Sequence, residues 1–240
     1  MLTLTATRSM NASRIRSAIL RMAAGALLLI GAPFAGAQEA KPTPTVEDLK
    51  NRAEAGDKSA TRQLADAYYL GREGAEQDFS EAARWYLKLA QQGDVRAQTT
   101  LGLMYSRGYG VKKDPQAAHR WWSFAAAAND PGAQYNLGLS FANGDGVAQD
   151  YARAAQWYDK AAQRTHVQAQ HNLGLLYHEG TGVAKDPVRA YFWVKVAALQ
   201  GDDLSQETLK KVAAGMSPDQ IREAEAQAGE WMKRAKKLLK

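Results

Sequence analysis

Between residues 58 and 202 the apolar positions fall on two helical faces that alternate along the chain. Ala97, Leu101 and Tyr105 stand at i, i+4 and i+8, and Ala118, Trp121 and Ala125 at i, i+3 and i+7. Each set lines one side of a helix with 3.6 residues per turn. The whole pattern then recurs. Trp85, Trp121, Trp157 and Trp193 are three equal steps of 36 apart, and Asp78, Asp114, Asp150 and Asp186 keep that step. So do Gly74, Gly110, Gly146 and Gly182, and Ala82, Ala118, Ala154 and Ala190. Upstream of those glycines the columns are Ala60, Ala97, Ala133 and Ala169, then Leu64, Leu101, Leu137 and Leu173, then the aromatic Tyr68, Tyr105, Phe141 and Tyr177. Their first step is 37, so unit one carries one extra residue in the loop between Gly71 and Gly74. A repeat of this length, built on helical faces alone, predicts an all-α solenoid of four helix-turn-helix units.

The ends of the predicted helices are marked in the sequence. Gly71, Gly108, Gly144 and Gly180 follow the first helix of each unit, where glycine takes the left-handed conformation that stops a helix. Asp114-Pro115 and Asp186-Pro187 open second helices, the aspartate capping free N–H groups and the proline sitting where its missing N–H costs nothing. Gly102, Gly138 and Gly174 lie inside first helices, where each costs about 1 kcal/mol against alanine. A recurring cost implies close approach of a neighbouring helix, and the tryptophan column is the expected neighbour.

The pattern A-Q-x-x-L-G-L-x-Y-x-x-G-x-G-V-x-x-D-x-x-x-A-x-x-W resembles the Sel-one-like repeat, a relative of the tetratricopeptide repeat with a longer loop. Unit one departs from it at Ala65 and Ala75, and Thr165 stands where other inter-unit turns have Gly93, Asn129 or Gly201. The resemblance implies a right-handed superhelix whose first helices line a concave surface. It also implies a binding or scaffolding role without catalysis. In the tetratricopeptide architecture, groove positions lie two before the repeat leucine and two and five after it. Those offsets give Arg62, Asp66 and Tyr69 in unit one and Thr99, Leu103 and Ser106 in unit two. They give Tyr135, Leu139 and Ala142 in unit three and His171, Leu175 and His178 in unit four. These columns vary where the core columns do not. That is expected of a groove in which each unit meets a different part of a protein or peptide ligand, with the three leucines as an apolar floor.

Composition changes the picture mainly at the ends. The net charge of +6 suggests a nucleic-acid partner, but Arg8, Arg14, Arg16 and Arg21 supply four of those charges. The rest of the chain holds 27 basic and 25 acidic residues, so no nucleic-acid partner is expected. Residues 1–37 read instead as an export signal. The arginines form its basic start, Leu27-Leu28-Leu29-Ile30 its apolar centre, and Ala35-Gly36-Ala37 a cleavage site that leaves Gln38 first. An uncleaved anchor is the competing reading, against which stand the short apolar run and Pro33. The expected compartment is periplasmic or secreted. Residues 38–45 form a Pro- and Thr-containing leader, 46–57 an N-terminal capping helix, and 203–240 a C-terminal helical cap with a basic end. Lys233, Arg234, Lys236, Lys237 and Lys240 share that end with Trp231, Ala235, Leu238 and Leu239. This is either a surface for weak contact with anionic lipid or a cap with a solvated face.

Chemistry is sparse. The chain has no cysteine, which excludes disulfides, thiolate metal sites and a lipid-modified N-terminal cysteine. The G-x-G segments follow helices and not strands, so they read as turns and not phosphate cradles. His171 and His178 are two turns apart, about 10 Å along a helix, too far to share an ion. No metal, cofactor or catalytic set is indicated. Two function classes remain: an exported adaptor that holds a partner in the groove, and a cell-wall-related enzyme or enzyme subunit of β-lactamase-like or peptidoglycan-associated type.

Overall fold

The computed structural model describes residues 44–238, and these form eleven α-helices and no strand. The helices are α1 (Val46–Glu54), α2 (Lys58–Leu70), α3 (Phe79–Gln91), α4 (Val95–Arg107), α5 (Pro115–Ala127) and α6 (Pro131–Asn143). They continue with α7 (Tyr151–Gln163), α8 (Val167–Glu179), α9 (Pro187–Ala198), α10 (Asp203–Ala213) and α11 (Pro218–Leu238). The pairs α2/α3, α4/α5, α6/α7 and α8/α9 are the four repeat units. The expected export signal, its cleavage point at Ala37 and Gln38, and the leader as far as residue 43 lie outside the described residues. Among the described residues no helix is long and apolar enough to cross a membrane.

Local chemistry sets each helix end. Asp78, Asp114, Asp150 and Asp186 cap the second helices, each side chain accepting from a backbone N–H of the first turn. Such caps contribute about 1 kcal/mol each. Gly71, Gly108, Gly144 and Gly180 end the first helices at φ of 62°, 76°, 78° and 76°, a conformation that a Cβ disfavours. The loop between the helices of a unit is closed by the capping aspartate's own N–H. It donates to the carbonyl of Tyr68, Tyr105, Phe141 or Tyr177 at 2.8–3.0 Å. Between units the chain turns through Gly93, Asn129, Thr165 and Gly201, all at positive φ. Thr165, at φ 65°, is a β-branched residue in the left-handed region, so this turn is held under local strain.

Packing runs from neighbour to neighbour. Each helix from α1 to α9 packs on the next one, and α10 and α11 both pack on α9. The core is divided among four clusters strung along the chain, as a solenoid requires. Leu64, Leu101, Leu137 and Leu173 are all buried. The expectation for the tryptophan column needs correction. Trp85 and Trp193 are buried, but Trp121 and Trp157 are only half-buried. The residue after each tryptophan is buried in every unit: Tyr86, Trp122, Tyr158 and Val194. It is this column that meets the helix glycines. A Cβ on Gly102 would overlap the Trp122 indole, one on Gly138 the Tyr158 ring, and one on Gly174 the Val194 Cγ2. The face of α5 that packs inward is therefore Ala118, Trp122 and Ala125, which keeps both alanines of the face the sequence suggests and replaces Trp121 by Trp122.

Both ends are covered. Thr45 and Asp48 form a capping box that starts α1, which buries Leu49 and Ala53. Ser217 and Gln220 form another at the start of α11. Ala224, Ala228 and Ala235 face inward from α11, and the Trp231 ring meets Trp193 edge-on at 5.9 Å. Lys233, Arg234, Lys236 and Lys237 are exposed on the other side.

Candidate functional site

The first helices α2, α4, α6 and α8 carry the expected groove residues, and the three columns have different surroundings. In the first column, every residue reaches the residue that caps the next unit's first helix. Arg62 is ion-paired with Asp94. The Thr99 hydroxyl is 2.9 Å from Asp130 Oδ1 and donates to it. The Tyr135 ring stacks on His166 with centroids 4.5 Å apart. His171 Nδ1 lies 2.7 Å from Ser205 Oγ and 3.8 Å from Asp202 Oδ2. The Ser205 hydroxyl proton is committed to Asp202 at 2.5 Å, so His171 donates from Nδ1.

Asp94, Asp130, His166 and Asp202 are the N-caps of α4, α6, α8 and α10. The variation of Arg62, Thr99, Tyr135 and His171 is thus matched to the cap each one meets. His171 is only 6% exposed, so it forms part of a seam between units and offers little surface to a ligand.

The electrostatics follow this arrangement. Burial opposes ionisation of Asp94, but the Ala97 N–H and Arg62 outweigh it and hold the carboxyl below its usual range. Burial lowers the affinity of His166 and His171 for a proton, only partly offset by Asp130 and Asp202. Neutral His166 accepts the Ala169 N–H at Nδ1, 3.3 Å away, and so replaces the aspartate used as cap in the other units.

In the second column, Asp66 accepts the Tyr86 hydroxyl at 2.5 Å and faces Arg96 at 3.6 Å. Burial and Asp66 together raise the Tyr86 phenol far above its ordinary value. Leu103, Leu139 and Leu175 are half-buried and stand in register on three successive first helices. In the third column Tyr69 packs edge-on against Phe79 and Tyr86, and Ser106, Ala142 and His178 are half-buried. A concavity of about 400 Å³ opens between α4, α5 and α6, with Leu103, Ser106 and Leu139 in its wall. It joins groove residues of units two and three. Among the described residues no three His, Cys, Asp or Glu side chains gather as metal ligands.

Two features escaped the sequence reading. The first is the matching of first-column residues to caps. The second is the glutamine column, Gln98, Gln134 and Gln170, visible as the Q of the A-Q pair but given no role. These side chains are buried and donate across the seam to the carbonyls of Ala90, Ala126 and Ala162 at 3.1, 3.4 and 3.0 Å.

The Sel1 repeat family matches the chain over four consecutive segments, 58–94, 95–130, 131–166 and 167–202. A Sel1 repeat protein from Oxalobacter formigenes has a similar structure, with a TM-score of 0.65 and 32% identity over 80% of this chain and 78% of its own. A protective antigen present in uropathogenic Escherichia coli strains, displaying an SLR fold, gives a TM-score of 0.72 at 33% identity over 78% of this chain. The match takes in 40% of that antigen. The ERAD-associated E3 ubiquitin-protein ligase component HRD3A of Arabidopsis thaliana is 34% identical over 62 residues, 26% of this chain and 9% of that protein. The chain therefore spans well under half of the antigen and a small part of the plant protein.

Proposed function

The chain belongs to the Sel1 repeat family, and on that footing we propose that it is an exported, non-catalytic adaptor holding a segment of a partner protein against its first helices. Sel1 repeat proteins generally mediate contacts between proteins. The observation that carries the reading here is the column Leu103, Leu139 and Leu175. Each stands two residues beyond a buried core leucine, about 200° round the helix from it, and each is half-buried and not sealed in the core. Apolar side chains repeated on that side form a stripe that a partner segment would cover. Ser106 and His178 lie at its polar margin.

Export rests on the arginine-led apolar segment of residues 1–37, and places the adaptor in the periplasm or outside the cell. The plant relative is by name a component of a larger ligase, which suits a part that holds others together. The exposed lysines of α11 add weak contact with an anionic membrane surface, secondary to capping. The reading is tested with a partner identified by affinity capture from envelope extracts. Leu139→Arg and Leu175→Arg should each weaken its binding at least about tenfold, or 1.4 kcal/mol, with the circular dichroism spectrum of the folded protein retained. Undiminished binding by both variants overturns the groove. Nitrocefin turnover above the buffer rate would favour the enzyme reading in its place.

A further inference from the structure

The concavity between α4, α5 and α6 coincides with one change in a buried column. Three residues after the repeat leucine, α2, α4 and α8 carry Ala67, Met104 and Leu176, whereas α6 carries Ser140. All four are buried, Ser140 to 1% exposure. Serine is shorter than the Met or Leu of the neighbouring first helices, and it puts a hydroxyl where they have apolar atoms. That hydroxyl has no hydrogen-bond partner. A serine inside a helix commonly returns its proton to the carbonyl one turn back, and a buried hydroxyl left unpaired is a standing cost. Ser140 therefore keeps an unpaired, buried hydroxyl beside a concavity lined by Leu103, Leu139 and Trp122 together with the polar Asn136 and Asn143. The Trp122 N–H is already donated to the Thr99 carbonyl at 3.2 Å.

Charge is also peculiar to this seam. Arg107 and Lys113 are exposed, line the concavity, and make no ion pair among the described residues. No other unit has a cation at both positions: the equivalents are Leu70 and Gln77, Asn143 and Gln149, and Glu179 and Lys185. The lone acid in the wall, Asp145, accepts from Asn143 Nδ2 at 3.3 Å. Two free cations beside the apolar patch of Leu103, Leu139 and Trp122, with polar Asn136 and Asn143 in the same lining and an unpaired hydroxyl beneath it, suit a carboxylate carried on an apolar stem.

We propose that this concavity is a subsite of the groove that takes a carboxylate of the partner chain, flanked by apolar side chains. The proposal rests on the groove reading and deepens it. A carboxylate can come from an acidic side chain or from a chain terminus, and two probes separate the sources. Acetyl-Leu-Glu-Leu-amide carries only a side-chain carboxylate, acetyl-Leu-Gln-Leu only a terminal one, and acetyl-Leu-Gln-Leu-amide neither. Each is titrated into the full chain to roughly 10 mM, the range in which so small a ligand binds. The readout is the resonances of Ser140 and of the Asn136 and Asn143 side-chain amides.

One or both carboxylate probes should shift these resonances, and the neutral probe should not. Arg107→Gln with Lys113→Gln should raise the Kd at least about fivefold. Ser140→Met, the residue found at the same position of α4, should abolish the shifts with melting retained. Asp145→Asn should tighten binding. Equal shifts from the neutral probe, no shifts from any probe, or shifts unchanged in the double glutamine variant would overturn the subsite. The groove is judged separately: a partner that binds the Ser140→Met protein normally but fails on Leu139→Arg leaves the groove standing without this pocket.

Discussion

Alanine in place of Gly138 separates the packing account from helix propensity, because the two predict opposite signs. Gly138 lies in the middle of α6, and on propensity alone alanine would stabilise the helix by about 1 kcal/mol. The added Cβ would overlap Cδ1 and Cε1 of Tyr158, with Cγ at 3.2 Å. Tyr158 is 2% exposed and belongs to a helix packed on both α6 and α8, so its ring has little room to retreat. Overpacking of a filled core costs about 1–3 kcal/mol, and overlap with two ring carbons belongs at the upper end. The net expectation is a loss of about 2 kcal/mol.

Removing the ring should reverse the sign. Tyr158→Ala alone is expected to cost about 3–5 kcal/mol, by analogy with other large aromatic truncations. In that background Gly138→Ala should gain about 1 kcal/mol, a coupling of roughly 3 kcal/mol. Gly229→Ala in α11, where nothing lies within 4 Å of the new Cβ, is the control and should stabilise by about 1 kcal/mol. Denaturant unfolding followed by circular dichroism gives the energies. Hydrogen exchange at α6 and α7 amides locates them, since a repeat array need not unfold in two states. Gly138→Ala at or above wild-type stability, or an equal loss with and without the Tyr158 ring, would refute the reasoning.

Other outcomes follow from the seams and from the N-terminal segment. His119, His166 and His171 all bind a proton less readily than a free imidazole, whose value is 6.5, because burial penalises the charged form. Their neutral forms therefore contribute stability that is full above pH 6.5 and is lost as pH falls towards the depressed folded values. Melting temperature should drop over that window, and His166→Asn, which keeps a capping side chain without a titrating ring, should flatten part of the slope. Arg62→Ala should destabilise by no more than about 1 kcal/mol, because the guanidinium is partly solvated, and a double-mutant cycle with Asp94→Asn measures the coupling. If export is as expected, intact mass of the periplasmic protein begins at Gln38; recovery of the full-length chain from membranes alone contradicts it.

What could be read from sequence was what local rules dictate. Gly108 and Asp114 mark a helix end and a helix start by their own backbone chemistry, and they do so again in every unit. Register within the second helix was harder. Trp121 and Trp122 are adjacent and both apolar, and so are Trp157 and Tyr158; only the packing partner, Gly102 or Gly138, decides which one turns inward. The repetition of tryptophan drew attention to the half-buried member of the pair in units two and three, whereas Trp85 and Trp193 are themselves buried.

The first groove column has a second source of variation that the sequence hides for a related reason. Arg62, Thr99, Tyr135 and His171 differ from one another, as ligand contacts do, but each is matched to a cap some thirty residues on. Four different pair chemistries leave no common motif to find. The buried glutamines were legible as a column, yet their carbonyl partners lie in the preceding unit and only the assembled seam shows them. The leucine stripe was legible because each member is tied by offset to a core leucine.

The central claim is that the exposed side of the first helices holds a partner protein. Site-specific photocrosslinking in producing cells tests it most directly. A benzophenone side chain is placed in turn at Leu103, Leu139 and Leu175, and at Arg120 and Gln156, which are exposed on second helices. Mass spectrometry then identifies the adducts. The account predicts one partner protein crosslinked from the three leucine positions and absent from the two others. Adducts from Arg120 and Gln156 with none from the leucines would contradict it.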